Sequence, residues 1–168
     1  MIEIDNEIKQ IIYDLYDECV NSVVPFHRKL DLFIIPEQLA AKIKETTEID
    51  VSQHWVCLDN YGIAHTIEHH GKSISEEKRG QVAIVKEDFI TMLEVFLYPD
   101  EIISTGKTSK SQKPSLQFIK KIEDKIFVVK EVRTITSQKK NKVNRLVFHT
   151  MYKIKADNRT AETDSWRL

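Results

Sequence analysis

Apolar positions in the first twenty residues recur every three or four places, at Ile4, Ile8, Ile11, Ile12, Leu15 and Cys19, with Asp and Glu between them. That spacing predicts an amphipathic helix laid on a core. Leu30-Asp31-Leu32-Phe33-Ile34-Ile35 reads as a short strand. Pro36, with its fixed φ, then opens a second helix over 37–44 that ends near Thr46-Thr47 and Asp50. After the run Trp55-Val56-Cys57-Leu58, Asp59 or Asn60 supplies an N-cap for a helix carrying Ile63, His65, Ile67, His69 and His70 and stopping at Gly71. A further helix spans 87–96, and Tyr98-Pro99-Asp100 breaks it.

Beyond that point the period changes from helical to alternating. Leu116–Ile119 and Ile126–Arg133 read as strands joined by a tight turn at Glu123-Asp124, and Leu146 to Ile154 alternates as one strand. Helices followed by strands, without β-α-β alternation, predict an α+β fold with N-terminal helices packed on a C-terminal antiparallel β-sheet. A chain of 168 residues suits one domain: a helical preface over 1–25, a principal region over 30–155 and a tail over 156–168. The Lys/Ser/Thr-rich stretch Ser104–Ser115 is expected to be a basic loop.

Composition adds little until it is divided by position. The net charge of -1 is the sum of an acidic segment, residues 1–101 at -11, a basic segment, residues 102–155 at +11, and a tail at -1. Such a division points to a polyanionic partner for the basic half. Cys19 and Cys57 match no zinc spacing and suit a reducing cytoplasm. The opening Met1-Ile2-Glu3-Ile4-Asp5 has no basic or apolar leader character, and no apolar run reaches membrane-spanning length, so neither a signal peptide nor a span is expected.

The histidine helix concentrates the chemistry. His65-Thr66-Ile67-Glu68-His69 spells H-x-x-E-H, a zinc motif in which two histidines one turn apart hold the metal and Glu acts as base. A zinc hydrolase therefore stands as one reading. A second follows from what RNA cleavage through its own 2′-hydroxyl requires: a base, an acid, and donors for the charged phosphorane. Histidine fits both proton-transfer tasks because its ordinary pKa lies near neutrality.

The longer string Gly62-Ile63-Ala64-His65-Thr66-Ile67-Glu68-His69-His70-Gly71 precedes Arg79-Gly80-Gln81, Ile84-Val85-Lys86-Glu87-Asp88-Phe89 and Pro99-Asp100-Glu101-Ile102-Ile103. With Val129-Lys130-Glu131-Val132-Arg133 and Thr150-Met151-Tyr152-Lys153 it resembles the phage-associated branch of the barnase/EndoU/colicin/RelE ribonuclease-like superfamily, over roughly residues 30–155. The resemblance implies a ribonuclease-like fold of phage or mobile-element origin that cleaves RNA without metal or other cofactor. It also implies a toxin or effector role, RNA as partner with tRNA as one candidate, and an acidic neutralising or immunity protein. By position it puts catalysis on His65, His70, Arg133, Thr150 and Tyr152. Arg79, Lys130 and the loop lysines Lys107, Lys110 and Lys113 are expected to bind substrate, with Glu131 orienting Arg133. His27, His54 and His149 are expected outside the site.

Helical geometry raises one difficulty. At about 100° per residue His65 and His69 lie together, whereas His65 and His70 diverge by roughly 140°. His70 joins His65 only if Gly71 takes a left-handed turn that swings it round; otherwise one of the two is structural. A catalytically silent RNA- or protein-binding domain on the same scaffold is the alternative from another class.

Overall fold

The computed structural model describes residues 4–107, 114–135 and 143–156. The first helix, α1 (Asn6–Asn21), is started by Asp5, whose carboxylate accepts the amide of Ile8 at 2.8 Å. Its apolar stripe does what the spacing demands: Ile12 and Leu15 are fully buried in the main core. Each such side chain contributes about 1.5–3 kcal/mol. Strand β1 (Lys29–Ile34) leads through Pro36 into α2 (Glu37–Thr47), and β2 (Trp55–Asp59) leads directly into α3 (Asn60–His70). A short helix α4 (Ser73–Lys78), which the sequence pattern did not announce, precedes α5 (Asp88–Leu97).

Strands β3 (Glu101–Lys107), β4 (Pro114–Ile122), β5 (Lys125–Ile135), β6 (Arg145–Val147) and β7 (Thr150–Lys155) complete a seven-stranded sheet. Its order is β1-β2-β6-β5-β4-β3, with β7 also paired to β5. The fold is thus mixed α and β, and the expected antiparallel C-terminal sheet needs two corrections. β1 and β2 come from the acidic half, and β2 runs parallel to β6. Ser104–Lys107, expected in a loop, form the end of edge strand β3. Lys110 and Lys113 lie outside the described residues.

Phe89, Met92 and Phe96 of α5 join Ile12, Ile43 and Ile63 and the sheet residues Phe118, Val129 and Phe148 in the main core. Val128, which alternates with Val129, belongs to a smaller cluster with Ile119, Ile126 and Ile154, on the opposite face of the sheet. Lys153 is buried on the α5 side, its Nζ 2.7 Å from Asp88 Oδ2, and that same oxygen accepts the amide of Val85 at 2.7 Å. Among the described residues no helix is long and apolar enough to cross a membrane.

Two irregularities break the regular alternation of the sheet. The stretch expected as one strand from Leu146 to Ile154 is interrupted at Phe148-His149, which make no ladder pair with β5, although Arg133↔Val147 and Lys130↔Thr150 pair on either side. Phe148 therefore enters the main core while Tyr152 packs on the smaller cluster, rather than sharing a face as strict alternation predicted. Opposite the interruption, β5 bulges against β4: Leu116 pairs with Val132 but Phe118 with Val129. Glu131, inside the bulge, has φ 57.

Candidate nuclease site

The site is assembled around α3. Asp59 caps it, its side chain accepting the amide of Gly62 at 2.9 Å, and Asn60 ties its start to Arg28 N and Phe26 O, each at 2.8 Å. Gly62 faces Phe148 so closely that a Cβ there would lie 2.8 Å from Phe148 O and 2.9 Å from its ring. One turn on, the Thr66 hydroxyl lies 3.5 Å from that of Thr150. This seam holds α3 against the break between β6 and β7. It also fixes which histidines meet.

His65, on the neighbouring stripe of α3, stacks on His149 with ring centroids 4.2 Å apart and planes 26° from parallel. His69, one turn further, lies 4.3 Å from His65. His149, expected outside the site, is thus in direct contact with its first-named member. Glu131 Oε2 lies 3.5 Å from His149 Nε2. Burial lowers the pKa of His65, reinforced by His149 and His69, and burial likewise lowers that of His149, opposed by the charge of Glu131.

His70 goes elsewhere. The helix runs through it, and Gly71 has φ -96, so the left-handed swing toward His65 does not occur. The His70 ring is buried, its Nδ1 3.2 Å from Oε2 of Glu76, and its centroid lies 5.8 Å from that of Tyr152. Glu76 is fully buried, and its other oxygen accepts from the guanidinium of Arg79, which also donates to the carbonyl of His69. Burial lowers the pKa of His70 against the pull of Glu76. Arg79 is accordingly engaged in closing the α3–α4 corner.

On the sheet, Lys130 Nζ lies 5.7 Å from the centre of the Tyr152 ring, and burial raises the Tyr152 pKa. Thr150 is buried with its hydroxyl toward Thr66. Glu131 and Arg133 both face His149 from β5, and the bulge brings Lys130 to that face as well. The carboxylate of Glu131 is at His149, and the buried Nε of Arg133 has no hydrogen-bond partner. Lys107 lies at the end of β3.

The structure therefore brings His65 together with His69, His149 and Glu131, and groups His70 with Glu76, Arg79 and Tyr152. His149 and Glu76 were missed in the sequence. Among the described residues no group of three or more His, Cys, Asp or Glu is arranged to hold a metal ion, the H-x-x-E-H residues included. The cluster instead offers imidazoles in ring contact with the guanidinium of Arg133 facing His149, groups suited to moving protons and holding an oxyanion.

Comparison with known proteins gives two findings. A family model described as phage-Barnase-EndoU-ColicinE5/D-RelE like nuclease3 matches residues 34–161. Two curated relatives, each described as Virulence regulon transcriptional activator VirB, from Shigella flexneri and Shigella sonnei, are 27% identical over 135 residues. The match covers 77% of this chain but only 39% of theirs. No solved structure matches the chain significantly.

Proposed function

The chain belongs to the phage-Barnase-EndoU-ColicinE5/D-RelE-like nuclease family, and we propose that it is an endoribonuclease cleaving RNA by transesterification, with His65 and His149 as its acid–base pair. The observation that carries the reading is the stacked contact of these two rings at 4.2 Å. One histidine takes the proton of a 2′-hydroxyl as O2′ attacks phosphorus; the other protonates the departing 5′-oxygen, leaving a 2′,3′-cyclic phosphate and a free 5′-hydroxyl. Arg133, which faces His149 from β5, serves the non-bridging phosphate oxygens through its guanidinium. Tyr152, beside Lys130, provides a ring for a base. Lys107, Lys110 and Lys113 steer the RNA backbone, and Thr150 steadies α3 through Thr66. The proposal extends to a toxin or effector of phage or mobile-element origin, matched by a neutralising protein acidic at its contact.

A second reading has its own support. The VirB relatives carry the word activator, not nuclease, and the chain spans about two fifths of their length. A catalytically silent RNA- or protein-binding domain on the same scaffold is compatible with that name.

The test is incubation of the purified protein with total RNA and tRNA, with and without EDTA, beside His65→Ala and His149→Ala. Cleavage that resists EDTA, leaves cyclic phosphate ends and falls about 10²–10⁴-fold in either variant is expected. Salt-sensitive binding without cleavage would replace the ribonuclease with the silent binder. Cleavage abolished by EDTA would revive the His65-x-x-Glu68-His69 zinc reading.

A further inference from the structure

Left-handed backbone is costly for any residue but glycine. Among the described residues four non-glycine positions adopt it: Glu48 caps α2, Gln53 and Glu123 sit in turns, and Glu131 alone lies inside a strand. The bulge it creates turns its carboxylate to His149 Nε2, at 3.5 Å. No other carboxylate among the described residues lies at ion-pair distance from the His65, His69 and His149 rings. Backbone strain held inside a regular element is often retained for a local task.

The stacking of His65 on His149 supplies that task. Two imidazolium rings 4.2 Å apart repel, so the pair accommodates one proton more readily than two. Which ring takes it depends on the charges facing each. His149 faces Glu131, Arg133 and Lys130 from β5, Asp59 from the end of β2, and His65 from α3. His65 faces His149 and His69 at ring contact, and the charges of Glu131 and Glu68 also act on it. Only His149 has a carboxylate against its ring.

We infer that Glu131 is a positioning residue that places the single proton of the stacked pair on His149 and leaves His65 neutral. In the ribonuclease reading, on which the catalytic consequence rests, His65 then accepts the 2′-hydroxyl proton and His149 gives its proton to the leaving 5′-oxygen. The charges balance over the step: His65 ends protonated and His149 neutral. Solvent exchange restores the starting arrangement.

The experiment is a pH titration of the histidine ring resonances by NMR in the wild-type chain, Glu131→Gln and Glu131→Asp, with cleavage assayed on the same samples. In the wild type His149 is expected to take up its proton before His65 on acidification. Glu131→Gln should lower the His149 midpoint by about one unit and invert that order, while Glu131→Asp keeps it. An unchanged His149 midpoint in Glu131→Gln, with the fold intact by amide spectra, overturns the inference. So does a wild-type His65 that protonates first. These readings do not need RNA, so an inverted order in a protein that never cleaves RNA would uphold the proton assignment while removing the ribonuclease reading. In a protein that does cleave, Glu131→Gln should lower kcat at least tenfold and shift the acid limb of the pH profile, with KM nearly unchanged.

Discussion

Gly62→Ala separates helix propensity from packing at the seam that positions the histidines. On propensity alone, alanine in the first turn of α3 should stabilise the chain by up to about 1 kcal/mol. The local geometry opposes it. The added Cβ would sit 2.8 Å from a backbone oxygen and 2.9 Å from the ring of Phe148, a fully buried residue in contact with Phe89. Backbone cannot rotate away as a flexible side chain can, so α3 must move outward by several tenths of an ångström. Overpacking of this kind costs about 1–3 kcal/mol. The net expectation is a loss of about 1–2 kcal/mol, which for a domain of this size lowers Tm by roughly 3–6 °C. Thermal unfolding followed by circular dichroism measures it, and the shift of α3 should also weaken the ring-current shift between His65 and His149. A Gly62→Ala protein that melts at or above the wild-type temperature would refute the close-approach argument.

Two further outcomes concern the groups around that seam. Glu76→Ala removes the fully buried carboxylate joining His70 and Arg79; because Arg79 can turn to solvent and His70 can stay neutral, denaturant unfolding should show a loss of about 2–3 kcal/mol rather than the larger cost of a stranded charge. His65, His70 and His149 all have lowered pKa values in the fold, so the unfolded chain binds protons more readily; their stabilising effect is complete above the ordinary value of 6.5 and is lost as pH falls below it. A Tm that stays flat from about pH 7 to about pH 5 would contradict that sign.

The sequence displayed α3 almost completely, because its signals are local: Asp59 caps it, the 3.6 period carries it and Gly71 ends it. It also exposed the conflict between His65 and His70, which the structure resolves by turning them to different partners. What it hid depends on distant contacts. Nothing local in Glu76-Glu77-Lys78-Arg79 marks a buried residue, and only the α3–α4 corner buries the first of them. β3 ends in Ser104-Thr105-Gly106-Lys107, with no apolar alternation to mark it, and it is held by pairing with β4. His149 appeared to lie on an ordinary alternating strand, and nothing local announces the interruption beside it.

The bulge at Glu131 is the most instructive of these concealments. A glycine at that position would have marked a left-handed residue in the sequence, and strict alternation would then not have been extended through 130–133. Glutamate gives no such sign, and the resulting slip accounts for several outcomes at once. Val129 and Val132, three apart, both enter the core; Lys130 and Glu131 between them both face His149; and the Glu131 carboxylate reaches the His149 ring. A glycine would satisfy the backbone at lower cost but would leave His149 without its carboxylate. The strain is therefore best understood through the side chain it directs, and the residue that most disguised the course of the strand is the one placed to decide where the proton of the site resides.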